Sequence, residues 1–283
     1  MQRYIFLFIV FFQSFCKHLY QFIISFEEKV KIKIKGPGNI QIIFNDFNKL
    51  PDRIYNSNNV LIGQSQSQIS INKEEETIIM VWDNKLTSLA KMFYLLENII
   101  EIDFSEFDSS KVKYMYMMFE GCSNVKKIDF TNFQTSEVLS WYSMFKYCRS
   151  LTSLNLSSFR TSKNKDFGSF FVGCSSLTSL DLSTFDASTV SHFDYMFHDC
   201  VLLTSLNLKN FKMINAVKIH GMFYNCKSLV YLDLSYLDLR KVTKLDDMFY
   251  GCNNLKYLNL LNAKEKTGFD FSIVNHKYFC SYS

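Results

Sequence analysis

The chain has 283 residues, of which 48% are hydrophobic and 20% are charged, and its formal net charge is +4. The 29 Phe and 16 Tyr provide enough apolar area for a continuous core in a chain of this length. The positive excess is small and dispersed, which argues against nucleic acid or an anionic membrane as a partner. We therefore expect a folded protein whose partners are not selected by net charge.

The N-terminus has the order of an export signal. Arg3 supplies the positive end, an apolar run of nine covers residues 4–12, and small residues precede a cleavage site after Cys16. Nine apolar residues are too few to span a bilayer, and Lys17 would place a charge inside any longer span. We predict a signal peptide over residues 1–16, with a signal anchor or a lipid anchor on Cys16 as alternatives. No later run reaches about 18 apolar residues, so no membrane span is expected after signal removal.

Residues 17–90 have the rhythm of short strands. Apolar residues alternate with lysines over residues 30–35, and a Gly-Pro-Gly-Asn turn leads into a second alternating run over residues 40–44. This pattern predicts a β-hairpin, and residues 69–71 with 78–82 predict a second strand pair. We expect a small β-rich capping domain that covers the first repeat, with an independent ligand-binding domain as the alternative.

A 26-residue unit then recurs seven times without insertion, over residues 91–263. Its repeated Phe stands at Phe93, Phe119, Phe145, Phe171, Phe197, Phe223 and Phe249, which number repeats 1 to 7. Each unit carries an LxxLxL core whose period-two alternation predicts a short strand with its leucines inward. The Val and Met spacing that follows, three or four residues, predicts a short helical turn.

This strict period predicts an α/β leucine-rich repeat solenoid of seven 26-residue coils with a parallel β-sheet face. A single coil cannot bury both its leucines and its Phe and Met, so stability must come from stacked neighbours. The exposed ends of such a stack need caps. The tail, residues 264–283, is expected to cap the last repeat.

One cysteine per repeat forms a predicted ladder of Cys122, Cys148, Cys174, Cys200, Cys226 and Cys252. Zinc needs ligands that converge, whereas these side chains project in parallel from one stripe, so we expect no metal site. We favour buried, unpaired thiols that act as small hydrophobic residues. Disulfides between neighbouring repeats are the alternative, because an exported protein meets an oxidising compartment. The state of Cys280, outside the ladder, is left open.

The repeated phrase MFxxCxxLxxLDLSxF, followed by SxVxxM, resembles the repeats of the BspA-like leucine-rich repeat surface proteins. The similarity covers residues 91–263, and it departs from the pattern at Leu96, Asn164 and Ala263. The resemblance implies a secreted or cell-surface binding and adhesion protein. It supplies no catalytic residue, cofactor or metal ligand.

The outward face of the strands is the predicted binding surface. Stacking in register gives one column of Glu101, Lys127, Ser153, Ser179, Ser205, Tyr231 and Tyr257, and beside it Asp103, Asp129, Asn155, Asp181, Asn207, Asp233 and Asn259. One interpretation is a solubilising ladder in which amides donate to neighbouring carboxylates. The other is a site formed by Tyr231, Tyr257, Asp233, Asn259 and Asp181 that binds a protein or a glycan.

Three classes of function follow from these features. A non-enzymatic, secreted or cell-surface recognition protein, extracellular and bound to a protein or glycan on another cell or matrix, is favoured by the export signal and the extended sheet. A passive structural or coat component that self-associates is the alternative. An enzyme is least expected, because His192, His198 and His220 occupy different repeat positions and no catalytic motif is present.

Overall fold

The computed structural model describes residues 27–260, which contain twelve strands and two short 3-10 helices. The strands are β1 (Glu28–Lys35), β2 (Gly38–Gln41), β3 (Arg53–Asn56), β4 (Leu61–Gly63), β5 (Gln68–Ile71), β6 (Glu75–Trp82), β7 (Ile99–Asp103), β8 (Lys127–Asp129), β9 (Ser179–Asp181), β10 (Ser205–Asn207), β11 (Tyr231–Asp233) and β12 (Tyr257–Asn259). The predicted signal peptide 1–16, the tail 264–283 and Cys280 lie outside the described residues.

The N-terminal strands continue into the repeats through one six-stranded sheet, in the order β4-β3-β6-β1-β7-β8. In β1, Ile32 lies opposite Ile78 of β6 on one side and opposite Ile102 of β7 on the other, both antiparallel. Alternate residues of β1 are buried, and the lysines between them lie on the outer side. β7 then pairs in parallel with β8. The N-terminal strands are therefore hydrogen-bonded directly to the first repeat.

Both predicted hairpins in this region are wrong in their pairing, although their strands exist. β1 pairs with β6 along eight positions, from Glu28 with Trp82 to Lys35 with Glu75, and not with the strand that follows it. β2 pairs instead with β5 in a separate two-stranded sheet. The reason is burial. β6 offers β1 an equally long apolar face, whereas β2 has four residues and none of them is buried.

Consecutive repeats are joined by parallel pairing at a spacing of 26 residues. Ile102 lies opposite Ile128, Leu180 opposite Leu206, and Leu232 opposite Leu258. Isolated bridges repeat the same spacing from Ser88 through Tyr114 to Ser140, and from Asp166 through His192 and Lys218 to Lys244. The 26-residue register expected from the sequence is therefore the register of the described fold, a strand-rich repeat protein built from several small sheets.

The predicted short helix of each repeat is wrong. The segment around each repeated Phe is a chain of turns in which N–H groups bond across repeats, as from Phe93 to the carbonyl of Met118 at 3.0 Å and from Phe119 to that of Met144 at 2.9 Å. Residues two before and two after the Phe have left-handed backbone angles, such as Lys91 with φ 60°. Neither feature is compatible with an α-helix. The two 3-10 helices, Ser109–Lys111 and Leu239–Lys241, lie elsewhere in the repeat.

The repeated phenylalanines form a continuous stack inside the molecule. Neighbouring rings from Phe93 to Phe249 have centroids 5.3–5.9 Å apart and interplanar angles of 4–12°. A second row runs through Phe107, Phe133, Phe159 and Phe185 with centroids 6.0–6.4 Å apart. Aromatic pairs at these distances add about 0.5–1.5 kcal/mol each beyond their buried area.

No helix within residues 27–260 is long and apolar enough to cross a membrane.

Candidate functional site

The strand face of the last two repeats brings the predicted tyrosines together. Tyr231 and Tyr257 are direct neighbours in the parallel pair of β11 and β12, and Asp233 lies opposite Asn259 in the same pair. The tyrosine side chains are 50% and 49% exposed. In the same column Ser179 and Ser205 are also paired and exposed. The site therefore combines two neighbouring aromatic rings with a carboxylate and an amide.

Asp181 does not belong to this cluster. It lies in β9 opposite Asn207 of β10, and β9 and β10 form a sheet of their own. Two repeats separate Asp181 from Asp233, a distance of roughly 10 Å at about 4.8 Å per strand. Of the five predicted binding residues, four are adjacent and Asp181 stands apart from them.

The column of aspartates and asparagines has a turn-forming role that the sequence interpretation missed. From Asp103 to Asp233, the Oδ1 atom of each side chain accepts the N–H two residues later, at 2.8 Å for Asp181 with Ser183 and 2.9 Å for Asp233 with Ser235. Such Asx turns end a strand by satisfying a backbone donor. The pKa of Asp181 is lowered by its bonds to Ser183 and, across the strands, to Asn207. The column therefore has a structural role at the ends of the strands, which neither interpretation of the sequence included.

All six cysteines of the ladder are buried free thiols. Each Sγ donates to the carbonyl oxygen of the repeated Phe one repeat earlier, as from Cys174 to Phe145 at 3.1 Å. The same contact measures 2.9–3.3 Å in the other five repeats. The Phe145 carbonyl also accepts the N–H of Cys148 in its own repeat, at 3.1 Å. One carbonyl oxygen therefore joins two successive repeats.

Burial makes these thiols poor acids. It raises the pKa of Cys174 and of Cys252 to about 12, and that of the other four thiols in the same direction. Since the thiolate is the reactive form, the ladder has no nucleophilic or metal-binding character at neutral pH. Within the described part of the chain no group of three or more His, Cys, Asp or Glu could hold a metal ion.

Leu96 shows why the ladder begins at the second repeat. It occupies the cysteine position of repeat 1, which has no preceding repeat to supply a Phe carbonyl. A thiol at this position would have no repeated Phe to donate to. Leu96 is 5% exposed and packs in the core without a polar group. Leucine in place of cysteine therefore suits repeat 1, which follows no other repeat.

His198 and His220 belong to one aromatic group, which the sequence interpretation did not expect. The His198 ring stacks on Tyr224 at 4.6 Å and 4°, and Tyr224 stacks on Tyr250 at 4.8 Å. Tyr195 packs edge-on against both His198 and His220, at 5.5 and 4.9 Å. The signal was present in the sequence, because His198, Tyr224 and Tyr250 each directly follow a repeated Phe.

A shallow hollow of about 210 Å³ lies on the outer side of the N-terminal sheet. It is lined by lysines and carboxylates of three strands, among them Lys33, Glu101 and Lys127. Lys33 is 2.7 Å from Glu75 and 3.8 Å from Glu101, so charges of opposite sign offset one another. Its lining holds three lysines and three carboxylates, so the hollow has no excess charge to select a ligand.

With this geometry established, comparison with protein families gives one match. The family described as "Mycoplasma protein of unknown function, DUF285" matches residues 65–179 and again residues 152–260, about two thirds of the chain in all. The chain belongs to this family. Together the two overlapping matches cover the described repeats and, from residue 65 onward, the N-terminal strands β5 and β6. The family's description assigns no activity to its members. No curated protein and no solved structure matches the chain.

Proposed function

We propose that this DUF285 protein is a leucine-rich repeat solenoid of the BspA-like kind, secreted or held at the cell surface. In this role it is a non-enzymatic recognition protein that binds a protein or a glycan through its strand face. The parallel pairing at 26 residues supports the solenoid. The observation that carries the binding role is the exposure of Tyr231 and Tyr257 as direct neighbours.

An exposed aromatic ring has no counterpart earlier in the column. Ser179 and Ser205 fill the same positions in a hydrogen-bonded parallel pair, so the fold does not need an aromatic ring there. Neighbouring tyrosines offer a rigid apolar surface with hydroxyl groups, which is typical of binding hot spots. Asp233 and Asn259 flank them with an acceptor and an amide. This combination suits a sugar ring with its hydroxyls or a basic side chain of a protein.

A double substitution tests the binding role. A Tyr231→Ala and Tyr257→Ala variant should keep its thermal midpoint within a few degrees, because both rings are half exposed, and should lose attachment to host cells or to arrayed glycans. Tyr236→Ala is the matched control, since Tyr236 is 47% exposed but lies outside the strands. Normal binding by the double variant would remove the proposal. A common loss of stability and binding would assign the tyrosines to packing.

The proposed location rests on the N-terminal pattern. The positive residue, the apolar run and the small residues before Lys17 have the order of an export signal. The mature chain should therefore begin near Lys17. N-terminal sequencing of the protein released from intact cells by protease shaving checks this, and recovery of Met1 from that fraction would contradict it.

A further inference from the structure

A second surface lies beside the repeated phenylalanines, away from the strand face. We call it the return face and define it by the positions two and three residues before, and one and two residues after, each repeated Phe. Large apolar side chains are 36–60% exposed on it, namely Leu95, Tyr116, Tyr142, Tyr147, Tyr195 and Tyr250. A series of exposed aromatic residues on one face is typical of an interaction surface.

Charge changes sign along the return face. Its N-terminal half carries Lys91 and Lys146, which lie 5.8 Å from the Tyr94 ring and 5.2 Å from the Tyr147 ring. One carboxylate, Glu120, lies in this half, and it is buried and 3.1 Å from Lys146. The N-terminal half is therefore positive.

The C-terminal half is negative. It carries four aspartates at return-face positions and no lysine or arginine at these positions: Asp194, Asp199, Asp246 and Asp247. Asp246 and Asp247 are exposed. The carboxylates of Asp199 and Asp247 lie close enough to the Tyr224 ring to contribute to its raised pKa, after burial and Tyr250. Aromatic rings and carboxylates together suit a cationic partner surface.

The middle of the return face is small. Repeat 4 places Gly168, Ser169, Val172 and Gly173 at the four positions. Val172 is 7% exposed and both glycines are buried. Exposed tyrosines lie on either side of this centre, Tyr147 in repeat 3 and Tyr195 in repeat 5. A partner can therefore approach the backbone most closely at repeat 4.

From these observations we propose that the return face binds a second copy of this chain, antiparallel, about a two-fold axis at repeat 4. The axis lies in the interface, across the stack of repeats, so repeat 1 faces repeat 7 and each position meets its own equivalent. Lys91 then faces Asp247, while Lys146 approaches Asp199. This proposal goes beyond the strand-face function and does not depend on it, because the dimer leaves Tyr231 and Tyr257 uncovered.

Side-chain size matches as well as charge in this arrangement. Met117 of repeat 2 faces Gly221 of repeat 6, and Ser143 of repeat 3 faces Tyr195 of repeat 5. In both pairs a large residue meets a small one, while Tyr94 faces Tyr250 and Tyr116 faces His220, ring pairs that can stack on each other. A two-fold interface requires this self-complementarity, because the same patch serves both copies. A polyanion or a polycation would meet repulsion over one half of the face, which is why a second copy fits better than either.

The carboxylate of Asp166 opposes this arrangement, and its substitution gives a further test of the dimer. Asp166, five residues before Phe171, lies close to the axis and would approach its own equivalent. Its Oδ1 accepts the N–H of Gly168 at 2.6 Å, a bond that an asparagine can also make. Asp166→Asn therefore removes the like-charge repulsion without removing the turn, and it should tighten the dimer.

The test is sedimentation equilibrium of the full mature chain at low and high salt. We expect a dimer that weakens as salt rises. Lys91→Asp and Asp247→Lys should each weaken it about tenfold to a hundredfold, because each reversal acts twice in a two-fold dimer. The double variant should restore the affinity to within about threefold. Lys212→Asp, an exposed charge change away from the return face, should have no effect.

A cross-link locates the axis independently. Ser169→Cys places a thiol beside its own equivalent, so mild oxidation should give a covalent dimer, whereas Ser110→Cys should give none. Monomers at every concentration, single reversals without effect, a double variant that stays dissociated, or no cross-link through Ser169→Cys would each overturn the proposal.

Discussion

Cys174 allows the role of the cysteine ladder to be measured. It is fully buried in repeat 4 and its Sγ donates to the Phe145 carbonyl at 3.1 Å. Two substitutions separate packing from hydrogen bonding. Cys174→Ala removes both the sulfur and its proton, while Cys174→Ser keeps a donor at nearly the same place.

The expected magnitudes follow from these contacts. Cys174→Ala should lower the free energy of unfolding by about 1–2 kcal/mol through lost packing, and the Phe145 carbonyl keeps the N–H of Cys148. In Cys174→Ser, an unpaired buried hydroxyl would cost about 1–3 kcal/mol. Its bond to the Phe145 carbonyl returns about 0.5–1.5 kcal/mol. The serine variant should therefore be no less stable than the alanine variant.

This order is opposite to the one that the sequence alone predicts. Without the structure, the serine hydroxyl has no visible acceptor and should cost more than alanine. The difference arises because the acceptor is 29 residues away, in the preceding repeat. A pairing across repeats cannot be read from local sequence.

The assay is equilibrium unfolding in urea. The urea midpoints of the variants are compared at equal m-value, the slope of the unfolding free energy against urea concentration. The same pair of substitutions at Cys252 is the control, because Cys252 is 7% exposed in the last repeat and both losses should be smaller. If Cys174→Ser were less stable than Cys174→Ala by about 2 kcal/mol or more, the thiol would be acting only as a hydrophobic group.

Three further predictions use single changes. Asn164→Val should raise the free energy of unfolding by about 1 kcal/mol, because the Asn164 side chain is fully buried and its Nδ2 has no hydrogen-bond partner. The lost bond from the Asp166 N–H to its Oδ1, at 3.2 Å, is only part-buried and offsets part of this gain; a lower free energy of unfolding would contradict the prediction. Bonds from Lys73 and Ser57 lower the pKa of Glu76 from 4.5 to about 2, so its contribution of about 2–3 kcal/mol is present above pH 4.5 and is lost as the pH falls toward 2. Glu76→Gln should remove that contribution at neutral pH and make the free energy of unfolding less dependent on pH below 4.5. An unchanged pH dependence would argue against this role of Glu76. Mass spectrometry of the unreduced protein should find Cys174 and its ladder neighbours as thiols that alkylate only after unfolding; neighbouring disulfides would overturn the hydrogen-bonded ladder.

The sequence predicts the register of the fold well because that register depends on period alone. Tyr231 with Tyr257 and Asp233 with Asn259 are opposite one another as the 26-residue spacing requires. Buried positions follow for the same reason, since a residue that recurs in every repeat, such as the Phe, must lie in the shared core. The adjacency of four site residues was therefore available without a structure.

The path of the backbone between the strands could not be predicted from the sequence. Intervals of three or four apolar residues suit a helix, but turns with alternating handedness bury the same positions. Lys91 and its equivalents at Met117 and Ser143 adopt left-handed angles of 54–60°, which no helical propensity suggests. Their N–H groups or those of near neighbours bond to the following repeat. Tertiary contacts between repeats, absent from any local window, decide this segment.

Function in a repeat protein of this kind must lie where the columns change. The Phe and Cys columns hardly vary along the chain, and both are buried. The strand column changes from Ser205 to Tyr231, although each of these residues lies in a parallel strand pair with a 26-residue register. The return face changes from Lys91 to Asp247 at one repeat position. A column of identical residues is explained by packing between neighbouring repeats. A change of side-chain size or charge at an unchanged repeat position is not needed for that packing, and we attribute it to binding of a partner. By this reasoning the two surfaces are separable, and loss of one should leave the other intact.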